Sequence, residues 1–363
     1  MVELCEIPSP SYHEGPLAAR IRHELAALGC VVTEDDAAEA LGAGCGNILG
    51  RLAATASGTP VLLCAHLDTV PVAGPIEVEL RADGTLTNRH DAILGGDDKA
   101  AAAAMLVAVR RIVREQIPHA GIELLFTPCE EVGLRGAAHF DQSVLGAELG
   151  FVFDHAGAIG QIVTSAPWHK RITATFVGTA AHAGMEPEAG HSAITAAASA
   201  IARMPLGRID AETTANVGII SGGQATNVVA PRCEIIAEAR SNSQVRLGAQ
   251  VSAMVDALTA AAVAGGCDLE CRVETQYIGY QLRGSDAQVA LAERALARLG
   301  IAAVHVGGGG GSDVNALLPS GCASVNLCNA MRDVHTAHES IAVADLVTMV
   351  DVTCAILAEA VGR

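Results

Sequence analysis

The sequence predicts an α/β domain interrupted by a smaller inserted domain, and three observations carry that prediction. Short, wholly apolar runs alternate with segments of helical periodicity over residues 1–166. Near Pro167 the texture changes to longer polar–apolar alternation. After Tyr280 the α/β texture returns. The expected division is therefore a discontinuous domain of residues 1–166 and 281–363, with an insert at 167–280. A chain of 363 residues accommodates two such units.

In chain order, Leu17, Ile21, Leu25 and Leu28 recur at helical spacing, so Ser11 to Gly29 reads as an amphipathic helix stopped by glycine. Val61 to Ala65 is too short and too apolar for anything but a buried strand. Gly95-Gly96-Asp97-Asp98 opens a helix from Ala100 to Arg114. Gly121 to Thr127 and Leu149 to Phe153 are further strands, and the alternation implies a largely parallel sheet. In the insert, Lys170 to Val177 alternates like a half-exposed strand. A helix at His191 to Met204 follows, then strands at Thr213 to Ile220 and Cys233 to Arg240. A helix at Leu247 to Ala264 and a strand at Asp268 to Thr275 complete it. That order, β-α-β-β-α-β, is the ferredoxin-like pattern. Helices at Asp286 to Leu299 and Val343 to Val361 finish the outer domain.

Composition removes several function classes. Half of the residues are hydrophobic, 2% are aromatic, and the formal charge is −17. Few rings argue against stacking on single-stranded nucleic acid. The negative charge argues against any phosphate-backbone binder. The amino terminus has no basic and apolar leader pattern, and the apolar run Ala100 to Val109 is about half of the ~20 residues a membrane helix needs. Eleven cysteines without paired spacing suit buried thiols in a reducing compartment. Cys267 and Cys271 lack a second pair to complete a zinc site. A cytoplasmic protein is expected.

Four segments place acids and imidazoles just beyond predicted strands, where open α/β sheets bind ligands, and a fifth lies far downstream. They are His66-Leu67-Asp68, Gly96-Asp97-Asp98-Lys99, Glu130-Glu131, Asp154 with His155, and His335-Thr336-Ala337-His338-Glu339. His66 can bind a metal while Asp68 holds its other ring nitrogen. Asp97 and Asp98 either cap the helix or offer a bridging carboxylate. Glu130 and Glu131 repel unless a cation or proton lies between them, and they provide one ligand and one base. Asp154 ends an apolar strand, where an acid needs a partner. His155 reads as a neighbour, and of the two late histidines His335 is favoured. Gly307 to Gly311 lacks the Lys-Ser/Thr of a P-loop, and no nucleophile elbow surrounds Ser312.

In order and spacing, these segments resemble the co-catalytic zinc exopeptidases, a group that includes peptidase T, glutamate carboxypeptidase and acetylornithine deacetylase. The resemblance spans nearly the whole chain from Ile7-Pro8-Ser9-Pro10-Ser11 onward. Gly-Asp-Asp-Lys-Ala and Ala181-His182-Ala183-Gly184 are most similar to the peptidase T-like branch. It implies a mixed sheet with helices on both faces and two zinc ions per subunit, with manganese or cobalt as alternatives. Asp97 would bridge. His66 and Asp154 would complete one site, Glu131 and His335 the other. Asp68 would orient His66, and Glu130 would be the general base. In the insert, His182 would stabilise the oxyanion, in some members from a partner subunit. Asn227, Arg240, Gly310, Gly311 and Ser312 would contact substrate.

The reading implied by the resemblance is release of the amino-terminal residue from short peptides, most like a tripeptidase. Arg240 motivates an alternative, an N-acyl amino acid deacylase or carboxypeptidase, because a free carboxylate needs a cation. A non-catalytic metal or peptide binder is the third reading, and Glu130 speaks against it. Homodimerisation through the insert is expected, with no nucleic-acid or membrane partner.

Overall fold

The structure, a computed structural model, describes residues 1–362. It divides into two compact units, Met1–Ala166 with Gln281–Arg363, and Pro167–Tyr280.

The first unit is built on a large mixed sheet. Its centre is parallel: Ile122–Thr127, Val61–His66, Leu149–Val152 and Ala323–Leu327 pair in that order. These strands are buried almost throughout, which is why they read as unbroken apolar runs rather than alternating ones. The flanks are antiparallel. Ile48–Leu52 pairs with Ile122–Thr127 and then with Val31–Glu34. Gln161–Ala166 pairs with Ala323–Leu327, and Val304–Gly307 runs parallel beside it. The sheet is therefore less parallel than the alternation implied, because Ile48–Leu52 and Gln161–Ala166 join the parallel centre in antiparallel sense.

Helix Lys99–Glu115 follows the glycine-acid loop and buries five consecutive alanines, Ala100 to Ala104. Their small side chains fit beneath the sheet, and Met105, Val109 and Ile112 continue the buried stripe. Val343–Glu359 and Ala287–Arg298 join this core. Fully buried Phe126, Phe151 and Phe153 each contribute about 1.5–3 kcal/mol relative to exposure.

The first long helix spans Gly15–Ala27 rather than starting at Ser11. The four residues before it serve other contacts. Ser11 Oγ donates to Asp68 at 2.7 Å, Tyr12 takes a φ of 73°, and its N–H donates to Glu14 at 2.9 Å.

The second unit is an antiparallel sheet ordered Thr213–Gly222, Arg232–Ser241, Trp168–Val177, Asp268–Tyr277, with Gly207–Arg208 at the edge. Helices Ala193–Arg203 and Gln244–Gly265 pack on it. The connectivity is that of the ferredoxin-like motif. Helix Gln244–Gly265 contains an 18-residue stretch with a mean hydropathy of 1.4 and is long and apolar enough to cross a membrane. Arg246 and Asp256 interrupt the helix, so no unbroken apolar run marks it in the sequence. Leu247, Met254, Leu258, Ala261 and Ala262 form its buried stripe against the unit's own core.

Candidate metal centre

The parallel strands deliver the chemistry. Val61–His66 ends on His66, Glu130 and Glu131 follow Ile122–Thr127, and Asp154 follows Leu149–Val152. Asp97 sits at the amino end of Lys99–Glu115, and His335 lies in the loop after Ala323–Leu327. Parallel strands put their carboxyl ends on one edge, so segments far apart in sequence converge.

The convergence is tight. The Asp97 oxygens face two different imidazoles: Oδ1 lies 3.7 Å from His66 Nε2, and Oδ2 lies 3.2 Å from His335 Nε2. His335 Nε2 is also 2.9 Å from Glu131 Oε1, and His66 Nε2 is 3.9 Å from Asp154 Oδ1. Two groups hold possible ligand atoms mutually within 4.8 Å: His66, Asp97 and Glu131, and His66, Glu130 and Asp154.

The charge balance of this cluster suits a cation. Burial and the neighbouring acids, Asp154 foremost, push the Glu130 carboxyl well above its usual range. Burial, then Asp97 and Asp98, do the same to Asp154, against the pull of His66. Burial also opposes ionisation of Asp97, but His335 and His66 outweigh it and hold that carboxylate low. Asp97 and Glu131 raise His335 to about 10. Burial disfavours the His66 cation, yet Asp97 and the surrounding acids raise it well above its ordinary value. Imidazole and carboxylate donors on a half-open edge match the ligand chemistry of a divalent ion.

The supporting contacts differ in part from the sequence reading. The nearest acceptor for His66 Nδ1 is the main-chain oxygen of Asp68, at 2.8 Å; its carboxylate Oδ1 is 3.7 Å away. The Asp68 carboxylate instead accepts from the backbone N–H groups of Glu130 at 2.8 Å and Glu131 at 3.1 Å. Asp68 thus fixes the glutamate pair with its side chain and faces His66 with its backbone.

Several residues of this framework were passed over in the sequence. Asn326 brackets Asp154, accepting from its N–H at 2.9 Å and donating to its carbonyl at 2.8 Å. A polar residue inside the apolar strand Ala323–Leu327 is the signal that marks it. Glu14 is fully buried and accepts from the N–H groups of Gly44 and Cys129. Asp313 is buried, takes Thr127 Oγ1 at 2.5 Å, and leaves Oδ1 without a hydrogen-bond partner among the described residues.

Ser312 is buried, its N–H donates to Asn315 at 3.0 Å, and its hydroxyl has no partner among the described residues. Gly310 and Gly311, just before it, are half-buried. In the inserted unit, His182 and Asn227 are exposed and lie on two loops zipped together. Ala183 N–H donates to Asn227 O at 2.9 Å, and His182 bridges Val228. Arg240 is already engaged: Nε and Nη2 donate to Glu238 at 3.1 Å each, and Nη1 reaches Tyr277 Oη at 3.3 Å.

A family model described as Peptidase family M20/M25/M40 matches residues 62–359. Over 359 residues the chain is 38% identical to YqjE of Bacillus subtilis (strain 168), described as uncharacterized, covering 99% of this chain and 96% of that one. The solved aminopeptidase PepT of Bacillus cereus ATCC 10987 is 37% identical with a TM-score of 0.87, covering 99% of this chain and 96% of that chain. A solved tripeptidase of Staphylococcus aureus subsp. aureus Mu50 is 35% identical with a TM-score of 0.91, covering 98% and 95%. The fold and the order of the site segments agree with these likenesses, and the chain belongs to peptidase family M20/M25/M40, in its peptidase T-like branch.

Proposed function

We propose that this protein is a two-zinc aminopeptidase that releases the amino-terminal residue from short peptides, tripeptides above all. The observation that carries the reading is Asp97, whose two oxygens face two different imidazoles. The peptidase and tripeptidase titles of the two solved relatives support the substrate class.

Asp97 would hold both ions. His66 and Asp154 would complete one site, Glu131 and His335 the other. When bound, such a pair supplies Lewis acidity that acidifies a water and polarises a carbonyl. Glu130 takes the proton of the attacking water and returns it to the leaving amine, so the products are a carboxylate and an amine. Its raised carboxyl suits an acid–base role. Asp68 keeps Glu130 in place through the backbone. His182 would stabilise the oxyanion, in cis or from a second subunit, and Asn227, Gly310, Gly311 and Ser312 would offer donors to the peptide.

Arg240 supports the second reading, an N-acyl amino acid deacylase or carboxypeptidase. A substrate carboxylate there would share the guanidinium with Glu238. Assembly as a homodimer through the inserted unit is part of the proposal, as is a cytoplasmic setting. Ile219 and Ile220, half exposed on strand Thr213–Gly222, support the dimer, and light scattering at micromolar concentration tests it. Mass-spectrometric profiling of di- and tripeptides and N-acyl amino acids tests the substrate. The proposal expects cleavage only where the amino terminus is free. Turnover confined to acylated amino acids would select the alternative, and no turnover on any member would leave a binding protein.

A further inference from the structure

Glu339 belongs to the His335 segment but takes no part in the mechanism above. Its carboxylate is buried and accepts three backbone N–H groups from the loop that presents Asp97. Oε2 takes Gly95 at 2.8 Å, and Oε1 takes Gly96 at 2.9 Å and Asp97 at 3.0 Å. The partners are 242 to 244 positions apart in sequence.

The loop needs such a fastening. Gly95 has a φ of 68°, and neither it nor Gly96 has a side chain to pack, so the segment is free to sample many conformations alone. Downstream it is anchored where Ala100 N–H donates to Gly96 O at 2.7 Å, in the first turn of the helix. Lys99, wholly buried, sends Nζ to Ile7 O at 2.8 Å and places a cation near the carboxylate.

The other end of the fastening is also defined. Arg332 and Ser340 exchange backbone hydrogen bonds at 2.9 and 3.0 Å, which closes a loop containing both His335 and Glu339. Within it, Glu339 N–H donates to Thr336 O at 3.1 Å. One closed loop therefore carries His335 and the carboxylate that holds Asp97, and His335 Nε2 stands 3.2 Å from Asp97 Oδ2.

We infer that Glu339 is a positioning residue that sets the separation of Asp97 and His335, and so tunes the ion shared by Asp97, Glu131 and His335. This rests on the two-ion reading above. The other ion, on His66, Asp97 and Asp154, draws two of its ligands from strand ends that Glu339 does not touch.

The test is zinc titration of chelator-stripped protein, read by calorimetry and by competition with a chromophoric chelator. Glu339→Gln keeps the shape but replaces one acceptor by a donor facing backbone N–H groups. One of the two zinc affinities should fall by about 10–100-fold while the other stays within about 3-fold, as expected for loss of an outer hydrogen-bond partner at one ion. Glu123→Gln is the control. Glu123 is a buried carboxylate that accepts from Gly146 and Ala147 N–H elsewhere in the unit, so its loss should move stability and leave both zinc affinities unchanged. If Glu339→Gln does not fold, Glu339→Asp, which withdraws the carboxylate by one methylene, should show the same selective loss. Equal effects on both ions, no effect on either, or failure of both variants to fold would overturn the inference. Wild-type protein that binds fewer than two zinc ions would overturn the two-ion reading itself, an outcome visible before any variant is made.

Discussion

Glu130→Gln separates a general base from a ligand. The side chain is 8% exposed, so an amide of the same shape preserves packing. The backbone around it is fixed independently. Asp68 Oδ1 takes its N–H at 2.8 Å, and its carbonyl accepts Gly133 at 2.9 Å and Leu134 at 2.8 Å. Burial and the neighbouring acids, Asp154 foremost, already favour the neutral Glu130 carboxyl, which the amide mimics. The metal-free variant should therefore melt no lower than wild type. Loss of a positioned proton acceptor lowers turnover by about 10²–10⁴-fold, or about 3–5 kcal/mol at 1.36 kcal/mol per tenfold. The assay is steady-state hydrolysis of a free-amine tripeptide, with bound zinc measured on the same samples by atomic absorption. Turnover within about 3-fold of wild type would refute the base assignment, since that is far below the usual contribution of a general base. Loss of zinc together with turnover would make Glu130 a ligand, a role its 4.8 Å grouping with His66 and Asp154 allows.

The remaining predictions concern the framework. Asn326→Ala removes the amide that brackets Asp154 and should weaken zinc binding by about 10–100-fold with the fold intact, checked by circular dichroism and zinc competition. Stability should fall with rising pH in the metal-free protein and lose that dependence with metal bound. Burial raises Asp68 from 3.8 to about 6, and Asp97 and Glu131 raise His335 from 6.5 to about 10. Both raised groups bind more protons folded than unfolded, so their stabilisation is full below the ordinary value and lost as pH rises through the folded one. Chelated protein should thus melt progressively lower as pH rises from 6.5 towards 10, and zinc should remove that slope by replacing the protons. A flat chelated profile would contradict this charge balance. Gly178→Ala would place a methyl 2.0 Å from the backbone oxygen of His191. The second unit should lose about 1–3 kcal/mol, read by denaturant unfolding.

Much of this molecule is legible residue by residue. The buried parallel strands announce themselves because both faces are covered, so their apolar runs are unbroken. Lys99–Glu115 and Gln244–Gly265 follow from periodicity and a glycine or polar start. The segments that carry the acids and imidazoles stand out because ionisable groups at the ends of apolar strands have no other reason to be there. What stayed hidden is the second layer of contacts. Asp68 was expected to serve His66 with its carboxylate, but that carboxylate reaches the backbone of Glu130, 62 positions away. Glu339 reaches Gly95 across 244 positions, and Asn326 reaches Asp154 across 172. Side chain to backbone bonds of this kind leave no periodic trace, because a single carboxylate or amide suffices and its partner is any residue with an N–H. The early helix boundary was missed for a similar reason. Ser11 and Glu14 have the composition of a helix start, but their side chains are committed to Asp68 and to distant backbone N–H groups.

The central claim is that two ions on these residues are required for peptide hydrolysis. Its most direct test is to strip the protein with a chelator, return zinc stepwise, and follow tripeptide cleavage against bound metal. The stripped protein should show no turnover, recovery should saturate at two zinc ions per chain, and a free amino-terminal residue should be released. Full turnover without metal, or two bound ions with no cleavage of any free-amine peptide, would contradict it.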